Sequence, residues 1–349
     1  MNFKVSVKNL DGSLVWDLPY STFNFSEENN KGVNATFLFE RTALQPVADN
    51  YKVTIEYILS ASYREIEIYD GATKIYAGYI AELTFFAGLV DEGNISVTSK
   101  GFFSLLEKRF LDNSLSYLAT DSADIAWNVI AYTQALSYGD LGITRGAHPA
   151  TKDRDRTDLR YKNIADVIRG MDADHVKDGY DFAVSPLKVF DIFYPKGSYR
   201  QNIVLEEGFN IDTYQVIKTF IDGMANQVIV TGSGQDETNQ LVVTRDSDSS
   251  YKETFFLLQD LLSESDVSVQ TTLEDKGDQH LNVYQGPRYT IVVTCKYDNP
   301  SWADFEVGDW IHLIMPTYVI DGGYRVVRRS CDNKGVVNMT LNNIVGVPA

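Results

Sequence analysis

Apolar and polar residues alternate along much of the N-terminal part of the chain, which is the pattern of half-buried β-strands. Val53, Ile55 and Tyr57 alternate with polar neighbours, and this alternation predicts one strand. Ile66 and Ile68 alternate with glutamates and predict a second strand. Because the turns between such segments are short, we expect the sheet to be antiparallel.

Turn residues and a change of period delimit this first region. Asp70-Gly71 is a hairpin signal, and the segment from Asp91 to Asn94 predicts the next turn. Gly101 ends the β pattern, and apolar residues from Phe102 to Phe110 then follow at spacings that suit a short amphipathic helix. The period changes from two to 3.6 here, so we predict a first β domain over residues 1–103.

Residues 104–205 combine both periods and predict a mixed α/β domain. Ser122 is the predicted N-cap of one helix and Asn163 that of a second, because apolar residues follow each of them on a single stripe. A hairpin turning near Ser185-Pro186 is predicted after the second helix.

Residues 206–349 return to strand patterns, interrupted by a helical insertion near residues 253–286. A helix is predicted from about Asp266 to Gln285 because one apolar stripe runs through it and Gly286-Pro287 stops it. The order β, α/β, β indicates a mainly β fold with an α+β middle domain. One barrel-like module would be used twice, although the two halves share no close residue-level repeat.

Charge and hydropathy narrow the class of protein. The chain has 349 residues, which favours two or three domains, and 31 Lys and Arg against 48 Asp and Glu give a formal charge of −17. This acidic balance disfavours non-specific binding to nucleic acid. The N-terminus lacks the apolar run of a secretory signal, and no segment reaches the roughly 18 apolar residues of a membrane span. We therefore expect no membrane anchor and folding in a cytoplasm.

No metal site and no cofactor are predicted. The four histidines are scattered singly, and neither Cys295 nor Cys331 has a CxxC partner. Two buried free thiols are the expectation for these cysteines, while a disulfide stays open. Acidic clusters that begin at Asp153 and Asp172 miss the spacing of a calcium-binding EF-hand, although metal binding by acidic surface loops stays open.

Basic residues interleave with the first of these acidic clusters. Arg154 and Arg156 alternate with acids, which favours a solvated loop of ion pairs.

No catalytic residue is predicted, and an enzyme is the less favoured class. No GxSxG element exposes a serine nucleophile. A cell-wall glycoside hydrolase stays an alternative, because paired carboxylates meet only in three dimensions. The strand-face and turn acids Glu65, Glu67, Glu82 and Glu92 are expected to be solvated. The aromatic fraction of 12% leaves a carbohydrate-binding baseplate module as a further alternative, which would need clustered and exposed rings.

Several segments together resemble one family. The run EIEIYDGATKIYAGYIAEL, followed by ISVTSKGFFSLLEKR, contains Tyr76, Gly78 and Gly101. The middle segment AWNVIAYTQALSYGDLGITRG follows, and FEVGDWIHLIMPTYVIDGGYRVV contains Gly308-Asp309 at the opening of a strand. In this order the segments resemble the tail hub, baseplate hub or minor tail proteins of long-tailed bacteriophages, including siphoviruses. The resemblance spans about Lys52 to Leu341 and marks these five residues as structural, fold-signature positions.

The resemblance implies a fold and a role in the virion. Such hubs have two tube-like antiparallel β-barrel domains plus an inserted mixed domain, a fold shared with contractile baseplates and type VI secretion spikes. They form homotrimers at the virion tail tip that join the six-fold tail tube to a three-fold tip and line part of the DNA-ejection channel. Implied partners are the distal tail protein or tail tube, the tape-measure protein, tail-tip fibre or spike proteins, and passing genomic DNA without specific binding.

The acidic charge has a physical interpretation within this resemblance. Three copies at −17 each would bring a formal charge of about −51 near the passing genome and would repel its phosphates. We therefore expect acidic residues on the lumen wall. Strand alternation shows which residues share a face and not which face is inward, so the lumen and interface residues are not predicted.

Overall fold

The computed structural model describes residues 3–9, 15–60, 63–86, 93–173, 175–176, 178–234, 239–265, 267–296 and 299–342. Asp91 and Glu92 of a predicted turn, and Asp266 at the start of a predicted helix, lie outside the described residues.

The first β block has, in its described part, seven strands with two helices between the fourth and the fifth strand. They are β1 (Phe3–Asn9), β2 (Val15–Leu18), β3 (Thr22–Glu28), β4 (Asn34–Glu40), α1 (Arg41–Tyr51), α2 (Ile55–Ser60), β5 (Arg64–Asp70), β6 (Thr73–Phe85) and β7 (Asn94–Lys100). The hairpin predicted at Asp70-Gly71 is confirmed, since β5 and β6 pair antiparallel on either side of it.

Helix α2 lies where alternation predicted a strand, and that prediction is wrong. Ile55, Ile58 and Leu59 are buried at helical spacing. The backbone N–H of Tyr57 donates to Thr54 Oγ1 at 3.0 Å, which satisfies a free donor of the first turn. Val53, Ile55 and Tyr57 are compatible with the period of a strand and with that of a helix. The apolar pair Ile58 and Leu59 decides in favour of the helix.

The middle block combines short helices and short strands. They are α3 (Phe103–Leu106), β8 (Tyr117–Asp121), α4 (Ser122–Gln134), β9 (Thr144–Arg145), β10 (Asp153–Arg156), α5 (Ile164–Arg169), β11 (Asp181–Val184) and β12 (Val189–Phe193). The hairpin predicted near Ser185-Pro186 is confirmed, because β11 and β12 pair antiparallel across it.

One of the two predicted helix caps is confirmed. The Asn163 side chain accepts from the backbone N–H of Ala165 at 2.9 Å and so caps α5. The cap predicted at Ser122 is wrong by one residue, since the Asp121 carboxylate accepts from the N–H of Ala123 at 2.9 Å. Asp121 also accepts from the backbone N–H of Thr151, which fixes its position.

The second β block contains the insertion between its second and third long strands. The elements are β13 (Tyr199–Glu206), β14 (Ile211–Thr219), β15 (Gln227–Thr231), β16 (Val242–Asp246), α6 (Ser249–Phe255), β17 (Gln259–Ser263), α7 (Gln270–Tyr284), β18 (Arg288–Cys295), β19 (Trp310–Met315), β20 (Ile320–Asp332) and β21 (Val337–Asn342). Short 3₁₀ turns lie at Ile221–Gly223, Trp302–Asp304 and Pro316–Tyr318. The helix predicted in the insertion corresponds to α7.

A five-strand module occurs twice. The first module has the spatial order β3-β4-β7-β6-β5, and the second module has the order β14-β18-β21-β20-β19. In both modules the spatial order takes the strands as the first, second, fifth, fourth and third along the chain. Every neighbouring pair within them is antiparallel. The two modules join edge to edge, because the end of β20 pairs with β3. This pair of strands is called the joint below.

The buried apolar residues of the described chain form three clusters. The largest is shared by both modules, and it includes Phe25 from the first and Val293 from the second. The middle block has its own cluster, and the insertion has a small one in which α7 packs on β15 and β16.

The prediction of a mainly β chain with large antiparallel sheets is confirmed. Among the described strands, the sheet that joins the modules is open, since β2 and β14 at its ends each pair with one neighbour only. Two closed barrels therefore stay a prediction.

Candidate functional site

The signature residues of the first module tie β6 to β7. The fully buried Tyr76 hydroxyl donates to Ser99 Oγ at 2.8 Å, and Ser99 Oγ donates to the Tyr79 carbonyl at 3.0 Å. Burial raises the pKa of Tyr76 well above its usual value, so the phenol keeps the proton that it donates. A Cβ at Gly78 would lie 2.5 Å from the Lys100 carbonyl oxygen, so only glycine fits this close approach.

Gly101 packs the end of β7 against the turn between β3 and β4. Its N–H donates to the Val33 carbonyl at 2.6 Å, and its own carbonyl accepts from the Ser104 N–H at 3.0 Å. The chain thereby leaves the sheet and enters α3, as the change of period predicted.

Gly308 and Asp309 fix the linker that leaves the middle block. Gly308 has φ +100°, a backbone conformation that favours glycine. The buried Asp309 carboxylate accepts from the Ser198 N–H at 2.8 Å, from the Glu306 N–H at 2.8 Å and from Arg200 Nε at 2.7 Å. The contacts of these two residues thus bring β13 and β19 together, whereas those of Tyr76 and Gly78 lie within the first module. The status of all five as signature positions stays a prediction.

A buried carboxylate that the sequence did not point to connects all three blocks. Asp181, at the start of β11, is 0% exposed. Its Oδ1 accepts from the side-chain amides of Asn29 at 2.7 Å and Asn30 at 3.0 Å. Its Oδ2 accepts from Arg325 Nη2 at 2.7 Å and from the Lys196 N–H at 2.9 Å. We call these five residues the Asp181 junction.

An ion pair lies across the joint itself. Arg329 on β20 donates from Nε at 3.0 Å and from Nη2 at 2.9 Å to Oε2 of Glu27 on β3. Its guanidinium lies 3.8 Å from the centre of the Trp302 ring. Burial alone would raise the pKa of Glu27, but the charges of Arg329 and Lys196 outweigh it and hold that pKa below its usual value. The joint is therefore fixed by charge as well as by strand pairing.

The expectation that Glu65 and Glu67 are solvated is wrong. Both are buried, at 1% and 3% exposure, and lysines from β1, from β6 and from the turn of the β11–β12 hairpin contact them. Lys8 Nζ lies 2.8 Å from Glu67 and 3.3 Å from Glu65, Lys74 Nζ lies 2.6 Å from Glu67, and Lys188 Nζ lies 2.6 Å from Glu65.

This glutamate pair does not suit glycoside hydrolysis. Burial would raise the pKa of Glu67, but hydrogen bonds from Lys74, Lys8 and Tyr69 outweigh it and lower that pKa. A general acid for hydrolysis needs a raised pKa. Glu82 is exposed, as expected.

The expectation of a solvated loop around Arg154 and Arg156 is wrong for the arginines. Both are 3% exposed, and Arg156 Nη2 donates to the Gly170 carbonyl at 2.5 Å. Arg154 Nη1 donates to Asp275 at 2.9 Å, and Lys276 of α7 donates to the Gly170 carbonyl at 3.2 Å. Polar contacts therefore attach the insertion to the middle block.

The histidine, cysteine and acidic side chains form no metal-binding cluster in the part of the chain that the structure describes. No three His, Cys, Asp or Glu side chains within it converge to hold a metal ion. Cys295 and Cys331 are free and buried, as expected, and burial raises the pKa of each to about 12. None of the described helices is long and apolar enough to cross a membrane.

Comparison with known proteins identifies the fold. No protein-family model matches this chain, and no curated protein matches it by sequence. Among solved structures, the 43 kDa tail protein of prophage MuSo2 from Shewanella oneidensis is similar over 98% of both chains, with a TM-score of 0.65 and 9% identity. A tail protein from Neisseria meningitidis MC58 is similar over 99% of this chain and 98% of its own, with a TM-score of 0.64 and 13% identity.

A secretion protein shows the same likeness more distantly. A type VI secretion system component of E. coli, described as structurally similar to the T4 bacteriophage tail proteins gp27 and gp5, covers 98% of this chain. The match extends over 76% of its own length, with a TM-score of 0.53 and 12% identity. The chain therefore has the fold of phage tail proteins and of spike-hub components of type VI secretion systems.

Proposed function

We propose that this chain is a structural virion protein, the homotrimeric hub at the tail tip of a long-tailed bacteriophage. The hub joins the six-fold tail tube to a three-fold tip and forms part of the channel through which DNA is ejected. The likeness in fold to tail proteins supports a structural role in the tail. The trimer, the channel and the position at the tip are the proposal.

One observation carries this proposal. The five-strand module occurs twice in one chain, and the two modules are joined edge to edge in a single sheet. Three copies would supply six similar modules, which matches a six-fold tube while keeping three-fold symmetry. The Asp181 junction and the Glu27–Arg329 pair hold the two modules in one orientation, as a ring requires.

The partners follow from this position. The hub would contact the distal tail protein or tail tube above, the tape-measure protein within, and fibre or spike proteins below. Assembly would take place in the cytoplasm of the host bacterium. Passing DNA would not be bound, because a charge of −17 per chain repels phosphates.

The mass in solution and the position in the particle test the proposal. Light scattering on the purified protein should give a trimer, in which three chains of 39.3 kDa make about 118 kDa. Electron microscopy of assembled particles should place this chain in a ring at the tail tip. A chain located elsewhere, or one that releases sugars from a cell-wall preparation, would overturn the proposal. A basic or neutral lumen would refute only the explanation of the charge.

A further inference from the structure

Two strand edges of the modules are unpaired among the described strands. Strand β6 pairs with β5 only as far as Tyr79, and from Glu82 to Phe85 it pairs with β7 alone. Strand β14 pairs with β18 alone. Unpaired edges of this length invite pairing with another chain.

Both edges carry exposed apolar side chains. Phe85 at the end of β6 is 49% exposed, and Phe86, the next residue, is 46% exposed. Ile217 is 41% exposed on β14, where Tyr214 is also exposed. Apolar residues on a free edge are a liability in a monomer and are typical of a surface that becomes covered.

A register shift at the same place in each module shows which residues of β6 and β20 are equivalent. The pairing of β6 with β7 shifts register just before the pair Glu82 and Thr98. The pairing of β20 with β21 shifts just before the pair Arg328 and Thr340. Glu82 in the first module is therefore equivalent to Arg328 in the second.

The same equivalence extends across each sheet to its far edge. From Thr98 the row of paired residues passes through Thr36 and ends at Asn24 on β3. From Thr340 the row passes through Val292 and ends at Gln215 on β14. The edge of β14 is thus equivalent to the edge of β3, residue by residue.

The joint within the chain supplies the template. There β20 pairs antiparallel with β3, with Arg328 opposite Glu28 and Asp332 opposite Asn24. We apply this pairing to the equivalent residues of β6 and β14. It places Glu82 opposite Thr219 and Phe86 opposite Gln215.

We propose that residues 82–86 of one copy pair antiparallel with β14 of a second copy, with Glu82 opposite Thr219. The occupant is a second copy of this chain, because the contact repeats the one that the chain already makes between its own modules. The inference rests on the proposed trimer and names the contact that closes it. A head-to-tail contact of this kind makes a closed ring when the rotation between copies is one third of a turn.

The side chains of the two edges fit this pairing. On the face toward the shared core, Phe85 would lie opposite Val216, in the place where the joint sets Cys331 against Phe25. Leu83 would lie opposite Lys218, whose apolar stem can pack against it. The contact between copies is therefore more apolar than the joint, which has the Glu27–Arg329 pair in the equivalent place.

A charge placed in the contact tests it against a matched control. Phe85→Lys should weaken trimer formation by about tenfold or more, because a lysine replaces the apolar contact of Phe85 with Val216. Phe110→Lys changes a ring that is 57% exposed in the middle block and should leave the trimer intact. Circular dichroism of each variant checks that the fold is kept.

A cysteine pair tests the register. Thr84→Cys with Ile217→Cys should give a covalent bond between copies on mild oxidation, because these positions are directly opposite in the proposed pairing. Thr84→Cys with Gln215→Cys, displaced by two residues on the same face, should cross-link far less.

The outcomes separate the two proposals. A trimer that tolerates Phe85→Lys, or particles at whose tips the Thr84 and Ile217 cysteines do not cross-link, would overturn the proposed contact and leave the hub role standing. A chain that is absent from the tail tip would overturn the hub role itself.

Discussion

Removing the Asp181 carboxylate is the sharpest test of how the three blocks are held together. Asp181→Ala deletes the acceptor of four hydrogen bonds and leaves the guanidinium of Arg325 without its carboxylate partner. The two side chains are 0% and 11% exposed, so water replaces little of the lost interaction.

The magnitude follows from this burial. Removing one partner of a buried ion pair costs about 3–5 kcal/mol. Unfolding entropy of about 2.1 cal/mol/K per residue, applied to 349 residues as one cooperative unit, gives about 0.73 kcal/mol/K. The melting temperature of Asp181→Ala should therefore fall by about 4–7 °C.

Differential scanning calorimetry measures this shift, and Asp153→Ala is the matched control. Asp153 is an exposed acid on β10 of the same block, and its loss should change the melting temperature by less than about 1 °C. The double variant Asp181→Ala with Arg325→Ala should be less destabilised than the sum of the single variants, because it leaves no unpaired charge. An Asp181→Ala protein that melts within 1 °C of Asp153→Ala would refute the reasoning.

Three further predictions concern the joint, the cysteines and the close approach at Gly78. Because the pKa of Glu27 is lowered from 4.5 in the folded state, its stabilising effect is complete above that value and is lost as the pH falls through the folded-state pKa. The stability difference between wild type and Glu27→Gln, followed by calorimetry from pH 7 to 3, should therefore shrink at acid pH, whereas the difference for the exposed Glu253→Gln should stay small throughout. A constant Glu27→Gln difference would contradict the assignment. With thiol pKa values of about 12, Cys295 and Cys331 should not react with a thiol reagent at pH 8 until the protein unfolds, and fast labelling of the native protein would show that they are accessible. Gly78→Ala should cost about 1–3 kcal/mol in urea denaturation, because its Cβ would lie 2.5 Å from the Lys100 carbonyl, whereas Gly322→Ala has no atom within 4 Å and should be nearly neutral. Equal effects of the two alanines would argue against the close approach.

Most elements could be predicted where a pattern was long enough to fix its period. The strands that contain Ile66, Val293 and Leu341 follow apolar alternation, and α7 follows a stripe of four turns. The segment around Ile55 failed because three alternating residues are compatible with both periods. For a short pattern, the residues on either side are needed to tell a strand from a helix.

The contacts that hold the blocks together could not be predicted, since they depend on which elements meet in the folded chain. Glu27 and Arg329 are 302 residues apart in the chain, and Asn29 and Asp181 are 152 apart. Nothing in the sequence near these four residues distinguishes them from polar residues at the surface. The edge-to-edge pairing of the modules brings Glu27 and Arg329 together, and the packing of the middle block against the first module brings Asn29 and Asp181 together.

Burial of charge was missed for a related reason. Alternation correctly placed Glu65 and Glu67 on the polar face of a strand, opposite Ile66. Whether that face meets water depends on the neighbouring elements, and here Lys188 pairs with Glu65 while Lys8 and Lys74 pair with Glu67. A strand pattern therefore predicts which residues share a face, and the tertiary fold decides whether that face is wet.

The difference between the two modules has a consequence for symmetry. In the first module a short turn of residues 29–33 connects β3 to β4, whereas the equivalent connection in the second module, residues 220–287, contains the whole insertion. In the proposed ring of three copies, the insertion would then stand at every second module and would alternate with modules that lack it. A neighbour that docks between insertions would meet three sites spaced by 120°, while the strands beneath still repeat six times.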